Sequence, residues 1–338
     1  MNWNNIERCK FVIGREIVFG ILKSRIQLAC QNFCDMTFGV LGGVDWNSPS
    51  LNACKAIVRQ IGIEDTSAGD LNGKPVVYLT DHGGVKYIGP DVLENWNCPP
   101  RRLSMLKDLL DDSEEFREVD WTDGHIALLH NLIVRYVTEF SPYPYQPFRT
   151  QNIRSGDTFL DIGAFRGYLS MKAALKVGVS GAVFSVEPVS DNLAFVEAQV
   201  AANGLDNVVC MDYAVTNEDV EDVAFFVTQN QVNACVTDNI SGPRNELVVR
   251  NKSVDALVRD VMRNSPRRVI ASITTNGTEM ELADSLLSKL VDAGAKYVEI
   301  TMPVLYTQEK LRTFLASIVH RASIYKVQFP WLKLIYHK

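Results

Sequence analysis

The sequence predicts an α/β fold built on a mostly parallel sheet with one antiparallel strand. From residue 150 onward, short apolar runs of strand length alternate with longer segments of helical periodicity, which is typical of parallel sheets covered by helices. Two β-rich runs at 322–329 and 331–336 are joined by a short connection around Pro330, which predicts a closing hairpin. Because a hairpin reverses the chain, one strand is expected to run against the others.

The first 140 residues have a different pattern and are predicted to form an α+β extension. Residues 1–60 place apolar side chains at helical spacing. Residues 74–90 contain two β-rich runs around Asp81-His82-Gly83-Gly84, which favours a hairpin. A charged helix near 101–118 and an amphipathic helix after Thr122 are expected to follow.

A proline-rich segment separates the two patterns. The run Ser141-Pro-Tyr-Pro-Tyr-Gln-Pro147 cannot continue a helix, because proline lacks an amide N–H and restricts the residue before it. We therefore predict an N-terminal extension over 1–140 and a main domain over 141–338.

In the main domain, each element follows from its own pattern. The predicted helices carry apolar stripes, such as Leu193, Val196 and Val200 in one of them. The predicted strands before the closing hairpin are 158–162, 182–187, 207–211, 268–274 and 296–301. The predicted helices are 168–177, 190–203, 279–293 and 307–319.

Composition and charge argue against several classes of protein. The chain has 338 residues, of which 46% are apolar and 22% are charged, as in ordinary globular proteins. Its net charge of −6 argues against a nucleic-acid partner, which usually requires a basic face. No apolar run reaches the roughly 20 residues that span a bilayer. The seven cysteines form no C-x-x-C pair, so we expect reduced thiols, no metal site and a cytoplasmic location.

Two acidic residues follow neighbouring strands of the predicted sheet. Asp161 closes the first strand and Glu187 the second, so both are expected at the carboxyl edge, where open α/β sheets bind ligands. In the turn Asp161-Ile-Gly-Ala-Phe-Arg-Gly167, the glycines allow the backbone to pass close to a ligand. The structural alternative is that each acid caps a helix or a turn.

The acids also discriminate between nucleotide cofactors. Phosphate groups are bound by helix amides, and a carboxylate at the end of the strand would repel a pyrophosphate. A nucleotide with an amino group and a sulfonium cation suits carboxylates instead, which indicates S-adenosylmethionine and methyl transfer. Glu187 has the spacing of a ribose-binding acid. Asp212, after the third strand, is a candidate acceptor for the adenine amino group, with a surface turn as the alternative.

Five motifs follow one another in the main domain: DIGAFRGYLS, VEP, N-G-L at 203–205, DYAV and SVDALV. Together, over residues 140–300, they resemble the FkbM-type family of class I S-adenosylmethionine-dependent methyltransferases. The resemblance implies a Rossmann-like class I methyltransferase sheet, S-adenosyl-L-methionine as cofactor, and O-methyl transfer to a sugar, polyketide or similar small molecule. The residues expected to bind the cofactor are Asp161, Gly163, Ala164, Phe165, Gly167, Glu187, Asp212 and Tyr213.

The fourth strand departs from the family pattern, which reads K-I-D-x-x-G-x-E. This chain has Ser272 and Thr274 at the lysine and aspartate positions, while Gly277 and Glu279 match. Threonine is neither a base nor a carboxylate ligand, so we expect metal-independent transfer. The candidate catalytic bases are then Glu279 and His125. Glu279 also fits a helix capping box, and a lone histidine is more often structural.

The leading functional hypothesis is therefore an O-methyltransferase for a small-molecule or glycan acceptor, with no nucleic-acid partner. Residues 1–140 are expected to supply the acceptor-side wall, a homo-oligomer contact, or both. The second hypothesis is a catalytically degenerate module that keeps the cofactor fold for binding or for structure. A nicotinamide dehydrogenase ranks third, because Asp161 and the glycine spacing disfavour it.

Overall fold

The computed structural model describes residues 63–81, 84–90, 149–228, 234–236, 244–303, 308–322, 324–328 and 331–338. The helices predicted before residue 140, the segment 141–147 and His125 lie outside these residues. The division into 1–140 and 141–338 therefore remains a prediction. The described residues fall into two compact units, one with 63–90 and 201–203, the other with 149–200 and the residues from 204 onward.

The smaller unit contains an antiparallel sheet of three strands in the order β1-β2-β3. The strands are β1 (Ile63–Leu71), β2 (Lys74–Asp81) and β3 (Lys86–Pro90). The pairing of β2 with β3 confirms the predicted hairpin. Strand β1 was not predicted. It joins β2 through Asn72 and Gly73, both with positive φ (54° and 78°), as in two-residue hairpin turns.

Among its described residues, the larger unit contains two sheets, the five α-helices given below and a short 3₁₀ helix, Met262–Asn264. Its strands are β4 (Thr158–Ile162), β5 (Ala182–Val186), β6 (Val208–Met211), β7 (Ala214–Thr216), β8 (Asp222–Thr228), β9 (Ala234–Cys235), β10 (Arg244–Ser253), β11 (Arg268–Ile273), β12 (Tyr297–Pro303), β13 (Ile324–Gln328) and β14 (Trp331–His337). Its helices are α1 (Tyr168–Val177), α2 (Ser190–Ala202), α3 (Val254–Val261), α4 (Glu279–Asp292) and α5 (Gln308–Ile318).

Seven of these strands form the main sheet, in the order β13-β14-β12-β11-β4-β5-β6. Strand β14 pairs antiparallel with both of its neighbours, and the pairs among β12, β11, β4, β5 and β6 are parallel. This confirms the predicted α/β class and the mostly parallel sheet with one antiparallel strand. Strand β4 is buried along its whole length, as expected for a central parallel strand with both faces covered.

Apolar side chains cover both faces of the main sheet. One face packs against α3, α4 and α5 in the largest core cluster, which includes Leu257, Leu286 and Phe314. The other face packs against α1 through Leu169 and Val177. The positions of the parallel strand ends are therefore fixed by a core that covers the sheet on both sides.

The face that packs against α1 also contains a buried ion pair. Lys333 Nζ on β14 lies 2.5 Å from Glu299 Oε1 on β12, and both side chains are inaccessible to solvent. Tyr297 Oη and Asn152 Nδ2 donate hydrogen bonds of 2.6 and 2.7 Å to Glu299 Oε2. These hydrogen bonds and the lysine charge offset the cost of burying the carboxylate.

A second sheet follows the third parallel strand and was not predicted. Its strand order is β7-β10-β8-β9, and α3 follows β10 directly. Val189, Ala214, Phe225, Val227 and Val249 form its apolar core. This small sheet continues from the end of β6 and supplies part of the cleft described next.

Candidate functional site

A cleft lies at the carboxyl ends of β4, β5 and β11. Its empty volume is about 530 Å³, which includes space open to solvent. Its apolar lining residues are Ile162, Phe165, Val186, Pro188, Tyr213, Ala214, Val215, Phe225 and Val236. Its other lining residues are Gly163, Glu187, Asn192, Thr274, Thr275, Asn276 and Thr278. The lining combines apolar walls with a few polar groups and one carboxylate.

Glu187 supplies that carboxylate, and backbone amides hold it in place. Its Oε2 accepts a 2.8 Å hydrogen bond from Phe165 N, and its Oε1 accepts a 3.0 Å bond from Val189 N. Asn192 Nδ2 lies 3.4 Å from Oε1. Burial raises the pKa of Glu187 to about 7, although these hydrogen bonds lower it. Near neutral pH, both the protonated and the ionised form of this carboxyl group are therefore populated.

The turns after β4 and β11 meet at Gly163. This residue has φ +79°, and a Cβ built there would lie 2.2 Å from the carbonyl oxygen of Thr274. Thr274 N donates to Ile162 O at 2.8 Å, and Thr274 Oγ1 donates to Gly163 O at 3.1 Å. The observed reason for glycine at this position is thus the close approach of two backbone turns that both line the cleft.

Asp161 is buried beneath the cleft and is not one of its lining residues. Its Oδ2 accepts a 2.7 Å hydrogen bond from Ser170 Oγ on α1. Its Oδ1 lies 3.7 Å from Arg149 Nη2. Burial raises the pKa of Asp161, while the charge of Arg149 and the bond from Ser170 lower it. A role for Asp161 in holding the cofactor remains a prediction.

Two further residues of this turn were predicted to bind the cofactor, Ala164 and Gly167, and they also lie outside the cleft lining. Gly167 is the residue before α1 and has φ +77°. A Cβ there would lie 2.9 Å from Cγ1 of Val196 on α2. Glycine at 167 therefore allows the start of α1 to pack closely against α2. It also permits the turn that the sequence predicts.

Asp212 and Tyr213 are neighbours in sequence but differ in position. Tyr213 is buried and lines the cleft; its hydroxyl donates to Met211 Sδ at 2.6 Å, and Lys252 Nζ lies 4.6 Å from its ring centroid. The Asp212 side chain is 56% exposed and forms an ion pair with Arg250. The exposure of Asp212 is that of a residue in a surface turn, which was the alternative to adenine binding. Its contact with adenine remains a prediction.

Glu279, the candidate base in the described residues, is buried at the start of α4. Its Oε1 accepts a 3.1 Å hydrogen bond from Thr275 N, and its Oε2 accepts a 3.0 Å bond from Gly277 N. Both oxygens therefore bind the turn that precedes the helix. This arrangement differs from the capping box, because Thr278 makes no side-chain cap bond. The geometry favours a positioning role for Glu279, and its catalytic role remains a prediction.

Replacement of Glu279 by alanine is expected to lower the free energy of unfolding by about 2 kcal/mol, because two part-buried backbone amides of the preceding turn lose their side-chain acceptor. Urea unfolding would measure the change. Glu281→Ala is the control, since Glu281 is exposed two residues further along the same helix. A Glu279→Ala variant as stable as Glu281→Ala would contradict this role in holding the turn.

Sequence reasoning missed Asn192, Phe225 and Val236 as cleft residues. Asn192 follows the acid of β5 by five positions and faces the cleft because α2 begins there. Phe225 lies in the β-rich run DVAFFVT, a signal that indicates β8. The pattern does not reveal that this strand folds back beside the main sheet.

Within the part of the chain that the structure describes, no group of three or more His, Cys, Asp and Glu side chains is arranged to hold a metal ion. Among the same residues, no helix has the length and apolar character needed to cross a membrane.

Comparison with known proteins gives structural similarities at low identity. No family model matches the chain, and no curated protein matches it. A SAM-dependent methyltransferase from Aquifex aeolicus is similar at 14% identity and a TM-score of 0.35, over 69% of this chain and 96% of that one. A SAM-dependent O-methyltransferase from Thermotoga maritima is similar at 13% identity and a TM-score of 0.34, over 76% of each chain. At these values the similarities assign neither a family nor a substrate.

Proposed function

We propose that this chain is an S-adenosylmethionine-dependent methyltransferase whose cofactor binds in the cleft at the carboxyl edge of the main sheet. The observation that carries the proposal is Glu187. Its carboxylate lines a cleft with apolar walls, next to a glycine turn, at the end of the second parallel strand. Open α/β sheets bind nucleotides at this edge, and an acid at this strand end suits the hydroxyls of a ribose.

The residues present fit the cofactor by the chemistry of their groups. Glu187 would accept hydrogen bonds from the ribose hydroxyls, and Phe165, Tyr213 and Val215 would contact the adenine. The Gly163 turn would let the backbone approach the amino-acid tail. When bound, S-adenosylmethionine supplies a methyl group that its sulfonium already activates. The chain's own contribution is then to position the reacting groups and to exclude water.

We assign the acceptor to hydroxylated small molecules or glycans, with metal-independent O-methyl transfer. The support is the resemblance to the FkbM-type family, together with neutral hydrogen-bonding groups of Thr274, Thr275, Asn276 and Thr278 in the cleft lining. Hydroxyl and amide groups suit the recognition of a neutral acceptor. Residues 1–140 would supply the remaining wall of the acceptor site, a homo-oligomer contact, or both.

Two measurements test the proposal. Calorimetry should detect S-adenosylhomocysteine binding and much weaker NADH binding. Labelled S-adenosylmethionine should then transfer its methyl group to a member of a carbohydrate and polyol panel. Absence of S-adenosylhomocysteine binding would refute the cofactor assignment, and stronger binding of NADH would favour a dehydrogenase.

One observation favours a second candidate, a binding or structural module without turnover. Two positions after the fourth strand offer no free carboxylate. Thr274 replaces the family's aspartate, lines the cleft and donates to Gly163 O, and Glu279, which matches the family's glutamate, lies outside the lining and binds two backbone amides. Tight S-adenosylhomocysteine binding without methyl transfer to any acceptor in the panel would favour this module.

The affinity for S-adenosylhomocysteine is expected to rise with pH between 6 and 8. The ionised Glu187 is the better acceptor for ribose hydroxyls, and with a pKa of about 7 its ionised fraction rises across this interval. The apparent affinity should increase by about five- to tenfold, because only the ionised fraction binds well. In Glu187→Gln the affinity should be flat over the same interval; an equally steep rise in that variant would assign the effect to another group.

The same raised pKa has the opposite consequence for the stability of the unliganded protein. The folded state binds the proton more tightly than the unfolded state, whose pKa is the ordinary 4.5. The stabilising contribution of Glu187 is therefore fully present below pH 4.5 and is lost as the pH rises through about 7. Ligand binding should thus strengthen over the interval in which this contribution to stability declines.

A further inference from the structure

Arg149 contacts three strands of the main sheet from the face that packs against α1. Its Nε donates a 2.9 Å hydrogen bond to Ser272 Oγ on β11, and its Nη2 also donates to that oxygen. Its Nη2 lies 3.7 Å from Asp161 Oδ1 on β4. The guanidinium carbon lies 4.6 Å from the ring centroid of Trp331 on β14. A single side chain, 13% exposed, thus joins strands that are distant in sequence.

The charge of Arg149 matters because Asp161 is buried. Asp161 is 1% exposed and receives the bond from Ser170 Oγ, and Arg149 is its ion-pair partner among the described residues. Burial lowers the pKa of Arg149 to about 10, so the guanidinium remains charged at neutral pH. Removal of this cation would leave a buried carboxylate without a counter-charge, which is costly.

The two strands that Arg149 joins lead directly into the cleft. Asp161 and Ser272 are register partners on β4 and β11. Two residues beyond them lie Gly163 and Thr274, the backbone turns that meet and line the cleft. The spacing of β4 and β11 at Asp161 and Ser272 therefore acts on these two turns, together with the direct hydrogen bonds from Thr274 to Ile162 O and Gly163 O.

We propose that Arg149 is a positioning residue, a buried cation that holds the ends of β4 and β11 together and so fixes the Gly163 and Thr274 turns of the cleft. The requirement is for a cation beside Asp161, whichever element carries it. A lysine at position 272 would meet this requirement, because that side chain lies next to Asp161 in register. The double variant Arg149→Met with Ser272→Lys therefore relocates the charge.

Amide hydrogen exchange tests the proposal without any ligand. In Arg149→Met, exchange of the segments 160–167 and 271–278 should accelerate by about tenfold or more, because local opening becomes easier. Arg149→Lys should remain within about threefold of the wild type, and the double variant should return to that range.

The chain offers a matched control at the amino end of the same strands. Arg268 Nε donates to Asp157 Oδ1 at 2.9 Å, and its guanidinium carbon lies 3.9 Å from the ring centroid of Tyr297. Arg268→Met therefore removes an equivalent arginine–aspartate–aromatic contact away from the turns. It should leave exchange of 160–167 and 271–278 unchanged, because the effect of Arg149 is local.

Several outcomes would overturn the proposal. Unchanged exchange of the two turn segments in Arg149→Met would do so, and so would equal acceleration in Arg149→Met and Arg268→Met, which indicates general loosening. Failure of Ser272→Lys to restore slow exchange would also count against it. If Arg149→Met does not fold, the double variant decides: a folded protein with slow turn exchange supports the proposal, and an unfolded one refutes it.

A second measurement links the position of Arg149 to cofactor binding, and this link rests on the proposed function. The affinity for S-adenosylhomocysteine should fall by about tenfold in Arg149→Met and recover in the double variant. A wild-type protein that does not bind S-adenosylhomocysteine would refute the proposed function, while the exchange data would still decide whether Arg149 positions the turns. An unchanged affinity in Arg149→Met would refute an effect of Arg149 on cofactor binding.

Discussion

Replacement of Glu187 by alanine is expected to weaken S-adenosylhomocysteine binding by about 100-fold, which corresponds to roughly 2.7 kcal/mol. Two losses contribute to this figure. The variant removes the acceptor for the ribose hydroxyls, and hydrogen bonds to charged groups contribute about 1.5–3 kcal/mol each. It also leaves the amides of Phe165 and Val189 without the acceptor that holds the turn and the start of α2 at the cleft.

Isothermal titration calorimetry would measure the effect, with Glu197→Ala as the control. Glu197 lies on α2, in the element that follows Glu187, but its side chain is exposed. Its replacement should change the affinity by less than about twofold, because exposed charges contribute little. Thermal unfolding of both variants would show whether they are folded. A folded Glu187→Ala variant with an affinity within threefold of the wild type would rule out Glu187 as the ribose-binding acid.

The sequence predicted the main sheet well because its signals are local. Strand β4 and helix α1 have the predicted bounds, 158–162 and 168–177, since a buried apolar run, a glycine turn and an amphipathic helix each depend on adjacent residues. The carboxyl-edge location of Glu187 follows from the same alternation. Once the strands are known to be parallel, their ends must meet at one edge.

The directions of the side chains at that edge depend on contacts between distant residues, and the sequence pattern did not predict them. Asp161 is on the face of the sheet that packs against α1, where its partners are Ser170 and Arg149, so it lies beneath the cleft. Ser272 accepts a hydrogen bond from Arg149, which is 123 positions away in the sequence. Periodicity within one element carries no information about such pairs.

The small sheet β7-β10-β8-β9 was not predicted, for a related reason. Its strands β8 and β10 contain β-rich runs, but β10 pairs antiparallel with β8 and parallel with β7. The alternation of strands with helices breaks off between β6 and β11, so a rule based on that alternation does not cover this segment. Phe225 and Val236 consequently became visible as cleft residues only in three dimensions.

Gly163→Ala is expected to lower the free energy of unfolding by about 3–4 kcal/mol. A methyl group would lie 2.2 Å from the carbonyl oxygen and 2.9 Å from the carbonyl carbon of Thr274. Both are backbone atoms, so no side-chain rotation relieves the clash, and overpacking of this kind costs about 1–3 kcal/mol. The positive φ of Gly163 adds about 1–2 kcal/mol for any residue with a Cβ.

Gly204→Ala separates these two contributions. Gly204 also has a positive φ (+60°), but a Cβ there would have no neighbour within 4 Å. It should therefore show the backbone cost alone, about 1–2 kcal/mol. Urea unfolding of the two variants measures the difference, which we attribute to contact between the two turns.

The contact also connects stability to binding. Relief of the clash requires the Thr274 turn to move away from Gly163, which breaks the bonds from Thr274 N and Oγ1. Because both turns line the cleft, Gly163→Ala should also weaken S-adenosylhomocysteine binding by about tenfold, whereas Gly204→Ala should not. Equal losses of stability in the two variants, with unchanged binding, would mean that the turns separate at little cost and that their contact does not shape the cleft.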